Sequence, residues 1–186
     1  CRANRIIRDI PSTNVVEGNK RTSLRMDVHK EMAERGTECE CLRCREVRGK
    51  KIDIEKLKLD DLIYPAENAE EHFISFITPD DKVAGFLRLS LPSVAAPETV
   101  ITDLEGAAII REVHVYGQSL EVGAEKRGSA QHAGLGTRLL EEAEQIALKS
   151  GFARMAVIAA VGTRKYYLGR GYTRGQLYLV KEIGNT

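Results

Sequence analysis

Two glycines directly before a long amphipathic helix are the feature that most constrains this chain. The stretch QHAGLGTRLLEEAEQIALKSG occupies residues 131–151, and Gly134 and Gly136 lie where the helix must begin. The first turn of a helix has backbone N–H groups without intrahelical partners and carries partial positive charge, so it favours an anion. Glycine lets a large anion approach the backbone closely. The pattern predicts a phosphate-binding turn, with an ordinary glycine-containing loop as the alternative.

The spacing of glycines and polar residues in this turn distinguishes among three kinds of nucleotide-binding site. A P-loop ends in Gly-Lys-Ser/Thr, which does not occur here, and a dinucleotide-binding turn needs a third glycine where Leu139 stands. The pattern that fits is Gln-x-x-Gly-x-Gly, with Gln131 as its first residue. We expect the N–H groups of residues 132–137 to form a nest for a pyrophosphate, with Arg138 adding positive charge nearby.

Hydrophobic periodicity along the chain predicts an α+β fold with a mixed, mostly antiparallel sheet. Two alternating runs joined by a short polar turn predict a β-hairpin. The predicted strands occupy residues 51–64, 70–78, 82–91, 107–117, 153–161 and 175–183. The predicted helices occupy residues 23–35, the stretch that follows the glycine turn and ends at Gly151, and residues 162–172, while residues 118–130 read as a polar loop.

The helix after the glycine turn has one apolar face and one polar face. The residues expected to be buried are Leu139, Leu140, Ala143, Ile146 and Ala147. The residues expected to face water are Glu141, Glu142, Glu144 and Gln145.

The formal net charge of +1 conceals an uneven distribution. Residues 1–51 carry thirteen lysines and arginines against eight acidic residues. Such an excess suggests contact with a polyanion, although a solvated surface fits equally well. We place a domain boundary near residue 50, between a basic linker (1–50) and a second domain (51–186).

The first residue and the apolar runs of the chain give expectations about its completeness and its cellular location. Since the first residue is Cys1 rather than Met, we expect a part of a longer protein. No apolar run approaches the roughly 20 residues that span a bilayer, and no signal peptide is recognisable. We therefore expect a cytoplasmic protein without a membrane partner.

Three cysteines lie within the hexapeptide CECLRC, at Cys39, Cys41 and Cys44. Thiols this close in a cytosolic chain favour a soft-metal site, most simply tetrahedral zinc that staples a segment with little core of its own. The fourth ligand is either His29, on the preceding helix, or Cys1. The alternative is three free reduced thiols near the surface.

The motifs around the glycine turn resemble the GNAT superfamily of acetyl-coenzyme A-dependent N-acetyltransferases. In that family the turn binds the pyrophosphate of coenzyme A, and the preceding strand, here residues 111–117, pairs its backbone with the pantetheine arm. A later helix offers two aromatic residues followed by a glycine and an aromatic, as in YYLGRGY at residues 166–172. The resemblance implies that Tyr167 donates a proton to the departing thiolate, since a phenol is neutral at pH 7. The alternative is that Tyr167 is an aromatic residue of the hydrophobic core whose hydroxyl is hydrogen-bonded.

Polar residues share one face of the strand that precedes the turn. Glu112, His114 and Tyr116 alternate with Val113 and Val115. Glu112 or His114 is a candidate base, and both are equally candidates for structural hydrogen bonding.

The resemblance also implies a set of coenzyme contacts on the strand, the turn and the short helix. These residues are Glu112, Val113, His114, Val115, Gln131, Gly134, Leu135, Gly136, Thr137 and Tyr167.

Five motifs together resemble a narrower family, the catalytic subunit of Elongator in its bacterial or archaeal form. They begin at residues 8, 41, 111, 131 and 162 and read RDIPSTNVVEGNKRTSLR, CLRCREV, REVHVYGQ, QHAGLGTRLLEEAEQIA and GTRKYYLGRGY. The resemblance implies a domain that binds and hydrolyses acetyl-coenzyme A within an enzyme that carboxymethylates carbon 5 of the wobble uridine, with the tRNA anticodon stem-loop as partner. A protein-lysine (histone) acetyltransferase and a zinc-stapled RNA-binding module on an inactive acyltransferase scaffold are the alternatives.

The family joins this domain to a radical-SAM domain that binds an iron–sulfur cluster and S-adenosylmethionine. The cysteine spacing here is not the Cys-x-x-x-Cys-x-x-Cys of that cluster, so we expect the radical-SAM domain to be missing and the fragment to be only partly active. A homodimer is possible in this family. The candidates for phosphate contact with tRNA are Arg2, Arg5, Arg8, Lys20, Arg21, Arg25, Arg43, Arg45, Arg48, Lys50 and Lys51.

Overall fold

The computed structural model describes residues 12–18, 24–48, 52–94, 96, 98–116 and 134–184. The chain divides into two compact units, Cys1–Arg45 and Glu46–Thr186. This division lies about five residues before the boundary that we placed near residue 50. In the described part of the chain, no helix is both long enough and apolar enough to cross a bilayer.

The Cys1–Arg45 unit contains a 3-10 turn at Ser12–Asn14 and two helices, α1 (Leu24–Glu34) and α2 (Leu42–Arg45). Helix α1 ends at Gly36, whose φ of +68° lies in the left-handed region that glycine adopts without strain. The N–H of Thr37 closes this end by donating to the carbonyl of Met32 at 2.9 Å. The predicted helix at 23–35 is confirmed. None of the residues described in this unit is buried.

The Glu46–Thr186 unit is built on a seven-stranded sheet with the strand order β1-β2-β3-β4-β5-β7-β6. The strands are β1 (Lys58–Ala66), β2 (Ala69–Ile77), β3 (Val83–Pro92), β4 (Ala107–Val115), β5 (Arg154–Val157), β6 (Thr173–Arg174) and β7 (Leu179–Glu182). The helices are α3 (Leu135–Lys149) and α4 (Arg164–Leu168). Short 3-10 turns lie at Ile54–Lys56, Thr102–Leu104 and Val161–Thr163.

The predicted mixed, mostly antiparallel sheet is confirmed. Strands β2 and β3 form the expected hairpin, with Ile74 opposite Leu87 near its middle. Strand β4 pairs antiparallel with β3 and parallel with β5. The strand predicted at 51–64 begins only at Lys58, because residues 54–56 form a 3-10 turn.

Helix α3 packs its apolar face against the sheet, as its periodicity predicts. The α3 residues Leu139, Leu140, Ala143 and Ala147 are buried in the main core cluster, together with Leu87 and Leu89 of β3. Burial of this stripe away from water is the main stabilising term for an amphipathic helix.

Two residues of α3 differ from the prediction: Ile146 is only partly buried against the core, and Glu144 is shielded from water. Glu144 does not face water, because its side chain is only 15% exposed and accepts hydrogen bonds from Lys181 Nζ at 2.7 and 2.8 Å. The hydroxyl of Tyr172 donates to the same carboxylate at 3.2 Å. A charged partner on β7 makes this burial favourable, and that partner lies 37 residues away along the chain.

The buried carboxylate of Asp103 joins the turn before β4 to the loop between β6 and β7. Asp103, 4% exposed, accepts backbone N–H groups from Gln176, Leu177 and Tyr178 at 3.1, 2.7 and 2.9 Å. Hydrogen bonds from the amides of Tyr178 and Leu177 hold the pKa of this carboxyl below its usual value, although burial opposes them. The contact anchors the loop that connects β6 to β7.

Candidate functional site

The sheet opens between β4 and β5. The two strands pair only from Ala107 with Arg154 to Ile110 with Val157, and β4 continues to Val115. On the β5 side, no strand among the described residues pairs with the last five residues of β4. Backbone groups on that free edge are available to a ligand that offers amides of its own.

Helix α3 begins beside this opening without a protein cap. Gly134 is the N-cap residue, and no side chain caps the first turn among the described residues. The first turn also carries no acidic residue. The first-turn N–H groups and their partial positive charge are therefore open to an anion, as the glycine pattern predicts.

Gly136 makes room for a tyrosine of α4. A Cβ at this position would lie 2.6 Å from the hydroxyl oxygen of Tyr166 and 3.6 Å from Val115 Cγ2. The missing side chain thus lets the end of β4, the start of α3 and α4 converge. The glycine pattern predicted space for an anion at this turn and gave no sign of Tyr166 there.

Arg170, a second residue that the sequence did not predict, contacts both α3 and α4 at this place. Its Nε and Nη2 donate to Thr137 Oγ1 at 3.2 and 2.7 Å, and its Nη1 donates to the carbonyl of Tyr166 at 2.8 Å. The guanidinium lies 3.6 Å from the centroid of the Tyr166 ring. By contrast, the guanidinium of Arg138, which we expected to add charge at the turn, stacks on Phe76 of β2 at 4.5 Å.

Tyr167 lies deeper than Tyr166. It is 7% exposed, and its ring makes edge contacts with Tyr166 and Tyr172 at centroid distances of 5.2 and 5.7 Å. Burial, followed by the neighbouring Tyr166, raises the pKa of Tyr167 to about 12. Its hydroxyl has no hydrogen-bond partner among the described residues. Such a phenol keeps its proton at neutral pH.

The side chains of Glu112 and His114 project from the face of β4 opposite Val113 and Val115. Glu112 lies 3.8 Å from the guanidinium of the buried Arg88. The ring of His114 stacks on Phe86 at a centroid distance of 6.0 Å and lies tilted against Tyr116 at 4.6 Å. Val113 and Val115 instead pack against the main core.

A bulge places a second ion pair beside Glu112. The register of β4 against β3 shifts between Arg88 and Leu89, so that Arg111 is an extra residue in the strand. Arg111 donates to the buried carboxylate of Glu71 at 2.8 Å. The candidate base Glu112 therefore lies in a network of alternating charges.

Part of the predicted site lies outside the described residues. This part comprises Gln131, His132 and the predicted loop at 118–130. A cavity of about 650 Å³ lies near the opposite end of β4, lined by Leu104, Ala107, Ile109 and Phe152 among others. It contains none of the predicted site residues.

The three predicted metal-binding thiols lie together in the Cys1–Arg45 unit. The sulfur atoms of Cys39, Cys41 and Cys44 are all within 4.8 Å of one another. Zinc–sulfur bonds of about 2.3 Å in a tetrahedron separate ligand atoms by a little under 4 Å, so a small inward movement suffices. The cluster can hold a metal ion.

Two residues of α1 approach this thiol cluster from one side. His29 Nε2 lies 3.6 Å from Cys44 Sγ, so the chain doubles back as a histidine ligand requires. One turn earlier, Arg25 Nη2 lies 3.1 Å from Cys44 Sγ and 3.8 Å from Cys41 Sγ. Burial opposes it, but hydrogen bonds with Cys39, Cys44 and Arg25 lower the pKa of the Cys41 thiol to about 7. Cys1, the other candidate ligand, lies outside the described residues.

The uncapped helix start, the opened parallel strand pair and the tyrosine helix together define a class of protein. The chain belongs to the acetyltransferase (GNAT) family, which it matches over residues 42–172. The family implies that the Glu46–Thr186 unit binds acetyl-coenzyme A, and the uncapped, glycine-lined turn fits the diphosphate of that coenzyme.

Two curated relatives narrow the comparison. The chain is 38% identical over 188 residues to the tRNA uridine(34) acetyltransferase of Dehalococcoides mccartyi, an alignment that covers 98% of this chain and 40% of that protein. It is 37% identical over 192 residues to Elongator complex protein 3 of Danio rerio, with 98% of this chain and 34% of that protein covered. The chain thus spans about two fifths or less of the length of these relatives.

A solved structure agrees with the sequence relatives. Superposition on the archaeal Methanocaldococcus infernus Elp3 with an N-terminal deletion gives a TM-score of 0.78 at 36% identity. It covers 96% of this chain and 43% of that one. The resemblance to the Elongator catalytic subunit that the five motifs indicated is confirmed.

Proposed function

We propose that this chain is the acetyl-coenzyme A-binding part of an enzyme that modifies carbon 5 of the wobble uridine of tRNA. The observation that carries the proposal is that relatives named tRNA uridine(34) acetyltransferase match 98% of the chain, across both compact units. These relatives do not favour the alternative of a protein-lysine acetyltransferase. We also propose that a radical-SAM domain, outside this sequence, completes the reaction.

The coenzyme site in this proposal follows the opened strands and the start of α3. The N–H groups of Leu135, Gly136 and Thr137 donate to the diphosphate, with Gln131 and Gly134 at the same turn. The backbone of residues 112–115 at the free edge of β4 pairs with the pantetheine amides. When bound, acetyl-coenzyme A supplies an acetyl group activated as a thioester.

Tyr167 is the proposed proton donor to the leaving thiolate. Its raised pKa of about 12 keeps the phenol protonated, which a donor requires. The absence of a hydrogen-bond partner among the described residues leaves the proton available. Glu112 or His114 is the proposed base, and the ion pair with Arg88 favours His114 as the freer of the two.

The first unit is proposed to bind zinc through Cys39, Cys41, Cys44 and His29. Zinc accepts thiolate and imidazole ligands and would replace the hydrophobic core that the described part of this unit lacks. The candidate basic residues named from the sequence are proposed to contact tRNA phosphates, and Arg25 is the exception because it already donates to the thiols.

Acetyl-coenzyme A hydrolysis with and without tRNA tests the proposal. Purified chain is mixed with acetyl-coenzyme A, and free thiol is measured after adding tRNA, a histone peptide, or neither. Stimulation by tRNA but not by the peptide is the expected result. Acetylation of the peptide would instead support a lysine acetyltransferase, and failure to bind the coenzyme in calorimetry would support an inactive scaffold.

A further inference from the structure

We propose that Arg170 is a positioning residue for the coenzyme, because it fastens α4 to the first turn of α3 and orients the Thr137 hydroxyl toward the diphosphate. The inference rests on the proposed acetyl-coenzyme A site. The glycine and tyrosine motifs do not include this arginine, and it becomes visible only once α3 and α4 are folded against each other.

The contacts of Arg170 join two helices of the site, α3 and α4. Two of its N–H groups converge on Thr137 Oγ1, at 3.2 and 2.7 Å, and a third donates to the carbonyl of Tyr166 at 2.8 Å. Because its oxygen accepts two hydrogen bonds from one guanidinium, the Thr137 hydroxyl turns its own proton away from Arg170. That proton is then free to be donated to an acceptor oxygen such as one of a phosphate.

The ring of Tyr166 is held between Arg170 and the start of α3. The guanidinium lies 3.6 Å from the ring centroid, and the tyrosine hydroxyl occupies the space where Gly136 lacks a Cβ. A planar guanidinium that stacks and donates at once fixes the ring more firmly than a lysine could. Arg170 therefore sets the width of the coenzyme turn as well as the direction of its hydroxyl.

The charge distribution identifies the ligand class as an anion. A cation beside a helix N-terminus is unfavourable, because both carry positive charge. Arg170 forms no ion pair with the carboxylates of the described residues. A diphosphate would offset both positive charges at once, which accounts for an arrangement that is otherwise destabilising.

Calorimetric titration of coenzyme A into matched variants tests the inference. Arg170→Met removes every contact, and Thr137→Val removes only the oxygen that Arg170 contacts while keeping the shape of the side chain. Each variant is expected to raise the Kd about tenfold, the loss typical of a charge-assisted hydrogen bond. Since Arg170→Met already removes the contact that orients Thr137, the double variant is expected to bind about as weakly as Arg170→Met alone.

Arg164→Met is the matched control. It removes the same charge from an exposed position on α4, and we expect its Kd to stay within about twofold of the wild-type value because an exposed charge is screened by solvent and salt. If Arg170→Met lowers the melting temperature but both it and Thr137→Val keep the wild-type Kd, the arginine is only structural and the inference is overturned. Multiplicative effects in the double variant would also overturn it. If the wild-type chain itself does not bind coenzyme A, the proposed function fails instead.

Discussion

The two compact units of this chain are stabilised by different means. In the Glu46–Thr186 unit, side chains such as Leu87, Leu89 and Leu139 are completely buried between α3 and the sheet. In the Cys1–Arg45 unit, none of the described residues is buried, and three thiols lie close to His29 and Arg25. The second unit can therefore fold on hydrophobic burial, whereas we propose that the first relies on a bound metal.

Metal removal should produce the largest difference in stability between the two units. A structural zinc site contributes on the order of 10 kcal/mol of apparent binding free energy, far more than the exposed side chains of α1 can supply. After treatment with a chelator, we expect the amides of α1 to lose protection from hydrogen exchange, while those of β2 and β3 keep theirs. The strands provide the internal control. If α1 kept its protection after complete metal removal, the first unit would not depend on a metal for its stability.

A single methyl group should disturb the second unit locally rather than globally. Gly136→Ala places a carbon 2.6 Å from the Tyr166 hydroxyl, so the tyrosine must move away from the turn. Overpacking of this size costs about 1–3 kcal/mol, and we expect the Kd for coenzyme A to rise about tenfold while the sheet stays folded.

Gly162→Ala is the control for this prediction, because nothing lies within 4 Å of a Cβ at that position. Calorimetry gives the Kd and circular dichroism gives the fold. Equal Kd values for the two alanine variants would mean that the contact between Gly136 and Tyr166 does not shape the coenzyme turn.

A smaller and pH-dependent effect is expected at Asp103. Asp103→Asn replaces one acceptor oxygen with an amide that faces backbone N–H groups, so we expect the melting temperature to fall by a few degrees. Because the folded pKa is lowered, the wild-type advantage is fully present above about pH 4, where the unfolded carboxyl is ionised. The advantage is lost as the pH falls through the folded pKa.

Glu105→Gln, an exposed carboxyl on the same turn, provides the control. Thermal melts of both variants between pH 2 and pH 7 check the prediction. A loss at Asp103 that did not shrink in acid would contradict the role of the ionised carboxylate.

Local patterns in the sequence predicted most of the second unit's fold. The hairpin at 70–78 and 82–91 and the helix after the glycine turn follow from periodicity and turn residues, which act over short distances. The burial of Glu144 and the contact of Asp103 with residues 176–178 were not predictable this way. Their partners lie 37 and 73–75 residues away, and only the folded sheet brings them together.

In the candidate site too, residues with a recognisable local spacing were predicted, and residues that depend on distant contacts were not. The glycines and Tyr167 carry a recognisable spacing, so the family resemblance found them. Tyr166 was read only as part of the motif, and Arg170 carried no signal, because its function depends on a contact with Thr137 across 33 residues. A basic residue two positions before the final aromatic of that motif is the feature that sequence reasoning could have examined.

The claim that the start of α3 binds the coenzyme diphosphate is tested most directly by Gly134→Asp. Nothing lies within 4 Å of a Cβ there, so the carboxylate can cap the first-turn N–H groups without a clash. We expect the free energy of unfolding to rise by about 0.5 kcal/mol, while repulsion raises the Kd for coenzyme A about thirtyfold. Gly134→Asn, with the same shape and no charge, should weaken binding much less. A stabilised Asp variant that bound coenzyme A as tightly as the wild type would contradict the account.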